Sequence, residues 1–465
     1  MKTSCLLVLL LVIIAGLNQA DAQNQNLNGY WVGKVDLPTI KLTTVFHLTE
    51  DENGEQLITL DIPEQDAKGL PCELIKITTD SIVFSTPEID RTYFGVFQND
   101  TTIKGDWSKN RVSIPLTLLK TNDPPTLKRP QTPQPPFPYL IEEVEYMNKK
   151  SGYKLAGTLT LPDTTSPCPA VVMISGSGAQ DRDETIFGHK LFWVIADYFA
   201  RNGIAVLRVD DRGVGGSEGN ISDATSKNFA GDVLAGVDFL KTRKEIDSDN
   251  IGLIGHSEGG LIAPIAATSS VDIAFFVMMA GPGMVGEQIL YEQNALALRA
   301  AGIPEMQIKQ SRMVNQRIFE IIRTEPDSVQ TLEQLRTILS QGFYPGMNDE
   351  MKAAVDAKIA GVNNNWFRYF LTYDPQPTLQ KVTCPVLAIN GEKDVQVPVS
   401  NLDSIKSALT NGGNTNITTI AFENLNHLFQ NCETGSAAEY SQIEETIDPK
   451  VLMVMKDWIL EQTTK

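Results

Sequence analysis

The chain has 465 residues, with 39 Lys and Arg against 57 Asp and Glu, and a net charge of −18. So acidic a chain is a poor match for nucleic acid or for an anionic membrane surface. The length allows two or three domains, and the five cysteines show neither a CxxC nor a Cys/His spacing of a metal site.

The first 22 residues read as an export signal. Lys2 gives a positive start, Leu6 to Leu17 is an apolar run, and Ala20-Asp21-Ala22 is a small-x-small cleavage site. The run is too short for an ordinary membrane span, and no later stretch is long and apolar enough for one. Cys5 precedes the run, where a lipid-anchor cysteine would follow it. The expectation is an exported, soluble protein, periplasmic or extracellular, with a mature start near Gln23. Of the four remaining cysteines (Cys72, Cys168, Cys384 and Cys432), Cys168 and Cys384 each stand before a proline that opens an apolar strand. That position suits a small buried apolar residue better than a disulfide partner.

Residues 23–120 read as an all-β module. Short alternating runs such as Thr43 to Leu48 and Asp80 to Phe84 are separated by turn residues, as in a small sandwich or barrel. His47 sits within one such run and reads as structural. Residues 121–138 hold seven prolines and read as a stiff, extended linker.

From 139 to 465 strand and helix patterns alternate, which predicts a doubly wound, mostly parallel α/β sheet. Ile141–Tyr146 and Lys154–Leu161 read as an antiparallel pair. Buried strands are expected at Ala170–Ile174, Ile204–Val209, Ile251–Ile254 and Ile273–Met279, with helices at Leu191–Arg201 and Phe229–Thr242. From about 284 to 379 only helical patterns occur: Met284–Ala301, Glu305–Thr324, Ser328–Gln341 and Asp349–Ala360. This insertion is expected to cap the site or to form an arm for dimerisation. Strands return at Pro385–Ile389 and Ile417–Phe422, and a helix at Lys450–Thr463 closes the chain.

The chemistry centres on Gly255-His256-Ser257-Glu258-Gly259, a G-x-S-x-G between a strand and a helix starting near Gly260. That context makes Ser257 a candidate nucleophile on a strained turn. Gly215-Gly216-Ser217-Glu218-Gly219 matches the same pattern but lacks the flanking strand and helix, and reads as a loop. A serine needs a base. Of the four histidines, His256 abuts Ser257 and should point away, His47 and His189 precede the elbow, and His427 alone follows it beyond its immediate neighbour. His427 is therefore the expected base. Asp394, in the loop after strand Pro385–Ile389, is the expected acid orienting it. Glu392 is the fallback, and Asp374 and Asp403 are less well placed. The oxyanion donors are expected to be the amides of Glu258 and of Ser177, with Gly178 next, in the loop Ser175-Gly176-Ser177-Gly178. The spacing of that loop fits no phosphate-binding motif. The following Gln180-Asp181-Arg182-Asp183 is expected to brace it through ion pairs.

The stretches SGSGAQDRD (175–183), DDRGVGGSEG (210–219), GHSEGG (255–260), NGEKD (390–394) and LNHLF (425–429) together resemble the α/β-hydrolase superfamily. More narrowly, they resemble bacterial serine esterases of the EstD type, which carry an added N-terminal domain. The resemblance implies a triad of Ser257, Asp394 and His427, a cap, no cofactor or metal, and a small-molecule ester, typically with a short acyl chain, as substrate. Ser175-Gly176 stands where a lipase-type oxyanion loop has His-Gly. Two other readings are an exported peptidase of the prolyl-oligopeptidase type and a non-catalytic binding protein on the same scaffold. Residues 23–120 are too few for the propeller of the first, and an intact Ser, Asp and His argue against the second. Ser257 in place of an aspartate disfavours dehalogenase chemistry.

Overall fold

The computed structural model describes residues 26–36, 41–65, 67–109, 112–124, 126–163, 165–222, 224–342, 359 and 361–464. The expected signal segment lies outside them, as does the expected helix 349–360 apart from Ile359. The chain divides into two compact units: residues 1–35, 44–61 and 69–124, and residues 36–43, 62–68 and 125–465.

In the first unit the alternating runs form β1 (Gly29–Asp36), β2 (Lys41–Glu50), β3 (Gln56–Ile62), β4 (Ala67–Ile77), β5 (Ser81–Thr86), β6 (Arg91–Asn99), β7 (Thr102–Lys109) and β8 (Val112–Thr121). These pair in sequence order and close into a barrel, β1 returning to β8 through Tyr30↔Thr121 and Trp31↔Lys120. Eight strands leave an interior that side chains can fill. Here Trp31, Phe46, Phe84 and Tyr93 fill it, fully buried, with Phe46 edge-on to Phe84 at 4.9 Å. His47 stacks on Tyr30 at 4.4 Å, a structural role.

In the second unit the proline-rich stretch is held in place rather than free. Arg129 donates to the carbonyls of Phe187 (2.7 Å) and Ile443 (2.9 Å), and Gln131 to that of Ile447 (2.8 Å). The chain then runs β9 (Leu140–Asn148), β10 (Tyr153–Leu161), β11 (Cys168–Ile174), the short pair β12 (Thr185–Ile186) and β13 (His189–Lys190), α1 (Leu191–Ala200), β14 (Ala205–Val209), α2 (Ser226–Leu240), β15 (Ile246–His256), α3 (Glu258–Ala267) and β16 (Phe275–Met279). Among the described residues, five helices follow without a strand: α4 (Gly286–Ala300), α5 (Glu305–Thr324), α6 (Ser328–Gly342), α7 (Asn365–Thr372) and α8 (Gln376–Leu379). Then come β17 (Val386–Gly391), α9 (Asn401–Asn411), β18 (Ile417–Phe422) and α10 (Pro449–Thr463).

The main sheet has the order β18-β17-β16-β15-β11-β14-β10-β9. The pairs β9–β10 and β10–β14 are antiparallel and the rest parallel. Side chains alternate across the sheet, so each strand feeds two cores. Val172, Leu253, Phe276 and Ala388 pack with α2, α3 and α9 residues such as Val233, Ile262 and Ile405. Val171, Ile254, Val277 and Leu387 pack with Ile195 of α1 and Met455 of α10. Covered on both faces, the sheet leaves only its strand ends for chemistry.

Candidate active site

The elbow departs from the expected local structure in two respects. Strand β15 begins at Ile246, not Ile251, and α3 begins at Glu258, directly after the serine. Ser257 alone makes the turn, at φ 53° and ψ −117°, in the left-handed region that side chains rarely occupy. Its amide donates to the carbonyl of Met279 on β16 at 2.8 Å, which anchors the strained residue. The flanking glycines are a steric requirement. A Cβ on Gly255 would lie 2.1 Å from the carbonyl oxygen of Gly259, and one on Gly259 2.1 Å from that of Ile174.

Asp394 and His427 leave the C-terminal ends of the neighbouring strands β17 and β18. His427 Nδ1 lies 2.7 Å from Asp394 Oδ2, and both residues are 3% exposed. Asp394 Oδ1 accepts from the amides of Gln396 (2.7 Å) and Val397 (2.9 Å), so the carboxylate is fixed from both ends. Gly391 lets the two loops meet, since a Cβ there would fall 2.2 Å from the Leu425 carbonyl oxygen. Fully buried Asn426 holds the histidine turn by accepting from the amides of Leu428 and Gln430, each at 3.0 Å.

The loop after β11 passes against Ser257: the Cβ position of Gly176 is 3.2 Å from Ser257 Cβ. Ser175 Oγ donates to Asp211 at 2.7 Å, and the Gly176 amide donates to Glu184 at 2.6 Å. With Gly176 so engaged, Ser177 offers the next amide. Glu258 opens α3, so its amide has no acceptor within the helix. The expected bracing is also present. Arg182 binds Asp210 at 2.7 Å, Gln180 N donates to Asp211 at 3.0 Å, and Asp183 pairs with the buried Arg208.

Several contacts around the site have no signal in the sequence. His256, 1% exposed, points away from Ser257 and joins Glu184 (Nδ1, 2.9 Å) to the backbone carbonyl of His427 (Nε2, 3.0 Å). A carbonyl only accepts, so Nε2 donates to His427. Burial opposes a charge on the ring, but Glu184 and the His427 carbonyl outweigh it and raise the pKa. His256 and Glu184 together tie the Ser175–Gly178 loop to the loop carrying His427. Glu258 is 3% exposed and accepts from Ser226 Oγ at 2.6 Å and from Trp366 Nε1 of α7 at 2.8 and 2.9 Å. Ser217 of the second G-x-S-x-G is bound to the backbone, donating to Asp210 O (2.8 Å) and accepting from Ala156 N (2.9 Å). His189 is fully buried between Thr446 and Tyr440, and burial pushes its pKa down to about 4. All four described cysteines are free. Among the described residues no cluster of His, Cys, Asp and Glu is arranged to hold a metal.

Asp211 carries a pH dependence. Burial pushes its carboxyl up to about 7, against the hydrogen bonds from Ser175 and Gln180 and with the help of Glu184 and Glu258. Its folded pKa lies above the unfolded value. Its stabilising contribution is thus complete below the ordinary carboxyl pKa and is lost as pH rises through about 7. Asp211→Asn removes that loss. The Tm difference, mutant minus wild type, is expected to grow from about pH 5 to about pH 8 in thermal melts. A difference that stays flat over that window contradicts this reading.

A doubly wound sheet of this strand order, with a serine elbow after β15 and an Asp–His pair after β17 and β18, defines a serine hydrolase of the α/β-hydrolase superfamily. A family model described as X-Pro dipeptidyl-peptidase (S15 family) matches residues 151–427, more than half of the chain, and the chain belongs to that family. It is similar to the esterase EstD of Thermotoga maritima, 27% identical over 308 residues, which cover 66% of each chain, just under two thirds. It is also similar to an acyl transferase of Photorhabdus luminescens, 33% identical over 123 residues, 26% of this chain and 37% of that one. Among solved structures, the α/β hydrolase GrgF from Penicillium sp. sh18 aligns with a TM-score of 0.45 at 16% identity, over 70% of this chain and all of that one.

Proposed function

We propose that the protein is an exported carboxylesterase that cleaves short-chain carboxylic esters through an acyl-enzyme on Ser257. The observation that carries this reading is the 2.7 Å Asp394–His427 pair on the two loops beyond the serine elbow. His427 takes the proton of Ser257 as Oγ bonds to the ester carbonyl carbon. The amides of Ser177 and Glu258 receive the developing oxyanion. The intermediate collapses, the bond to the alkoxide breaks, and His427 returns the proton to the leaving alcohol. Water, deprotonated by His427, then releases the acid. Asp394 holds the ring in the tautomer with a proton on Nδ1 and stabilises its charged form. The similarity to EstD supports ester substrates. The N-terminal pattern of Lys2, the apolar run and Ala20-Asp21-Ala22 supports export, and among the described residues no helix is long and apolar enough to cross a membrane.

A second reading, peptide hydrolysis, is favoured by the description of the matching family. Turnover of p-nitrophenyl esters from acetate to palmitate, beside dipeptidyl p-nitroanilides, separates the two. The esterase reading expects short esters to be cleaved and the anilides left intact. Cleavage of the anilides alone overturns it.

A further inference from the structure

One cavity beside the elbow shares only Ser177 with the mechanism above. It measures about 370 Å³ and lies between the oxyanion loop (Ser177, Gly178, Ala179) and a wall that includes Phe229 of α2 and Asn364 and Trp366 of the helical insertion. Its volume falls in the range of small-molecule sites. Among the described residues that line it, none is charged. Both walls are tied to neighbours of the nucleophile. Ser177 follows the glycine whose Cβ position lies 3.2 Å from Ser257 Cβ, and the Trp366 indole N–H is shared by the two carboxyl oxygens of Glu258.

The indole is held in one orientation. Glu258 fixes its edge, and Phe370 lies parallel to it at 5.4 Å and 13°. The Asn364 side chain caps α7 by accepting from the Phe367 amide at 2.8 Å, which holds the first turn that carries Trp366. Such a wall is organised before any ligand arrives. Aromatic rings bind flat or edge-on to other rings, beyond what their area alone contributes. The described lining residues offer no carboxylate to pair an ammonium group, which would meet them at a desolvation cost.

We propose that this cavity is a subsite for an uncharged aromatic ring of the substrate, and that Trp366, positioned by Glu258, determines that specificity. The proposal rests on the esterase reading and names the class of ester. The ring can sit on the acyl or on the alcohol side of the scissile bond. Methyl phenylacetate and benzyl acetate place it on each side in turn, and methyl butyrate and ethyl acetate carry none.

Wild-type enzyme is expected to favour one ring-bearing ester over its ring-free counterpart by about tenfold in kcat/KM. The favoured ester tells which side of the carbonyl enters the cavity. Trp366→Leu is expected to remove that preference, chiefly through KM, and Trp366→Phe to keep part of it. Calorimetric binding of the same esters to Ser257→Ala reads the subsite without turnover and is expected to show the same preference. Equal handling of ring-bearing and ring-free esters by the wild type, or a Trp366→Leu enzyme with its preference intact, overturns the proposal. If no ester is turned over, the esterase reading fails by itself, and binding to Ser257→Ala still decides the subsite: ring-selective binding upholds it and its lack refutes it.

Discussion

Replacing Ser257 with alanine is expected to lower kcat/KM on any turned-over ester by about 10⁵-fold, with little change in Tm. The two parts of this expectation have separate causes. The activity loss follows because alanine has no oxygen to form the acyl bond, so only the oxyanion amides and substrate binding remain. Stability holds because the strain at φ 53° belongs to the backbone and to any Cβ, and alanine keeps both. The second serine motif supplies the control. Ser217→Ala removes a buried hydroxyl bonded to Asp210 and Ala156, so it is expected to cost about 1–3 kcal/mol of stability while hydrolysis persists. Denaturant melts and ester kinetics on the two variants separate a nucleophile from a loop serine.

Asp394→Asn is expected to lower kcat by about 10⁴-fold with the fold intact. The geometry explains why an isosteric change has so large an effect. The amides of Gln396 and Val397 both donate to Oδ1, so an asparagine at this position must turn its carbonyl toward them. Its NH₂ then faces His427 Nδ1, 2.7 Å from the present Oδ2. A donor there forces the proton of the ring onto Nε2, and a nitrogen already carrying a proton cannot take one from Ser257. The variant should regain activity as pH rises and hydroxide substitutes for the missing base, so a kcat–pH profile checks the tautomer argument. A variant with wild-type kcat contradicts it.

Much of this arrangement was readable in the sequence because it depends on local pattern and chain order. Buried strands, their parallel sequence and the serine–acid–histidine succession all show in linear spacing. Asp394 and His427 follow the ends of strands beyond the elbow, and the structure brings the two side chains to 2.7 Å. The start of β15 carries no local signal, since Asp247, Asp249 and Asn250 have the composition of a loop although Ile246 already pairs with Cys168 of β11. The all-β module left sandwich and barrel open. Closure depends on β1 meeting β8, a contact between chain ends that no local pattern encodes.

The unforeseen parts of the site are long-range polar contacts. Glu184 meets His256 across 72 residues, and Trp366 meets Glu258 across 108. Glutamate and tryptophan have no periodic signature that announces such partners. The proline-rich stretch shows the same limit: its stiffness was legible, but the anchoring of Arg129 on Phe187 and Ile443 was not.

The most direct measurement is labelling of the intact protein with a fluorophosphonate probe, followed by peptide mapping. One label per chain on Ser257, lost in Ser257→Ala and strongly slowed in Asp394→Asn, is the expected result. A label on Ser217 or another residue, or no label on a folded protein, would contradict the central claim that Ser257 is an activated nucleophile.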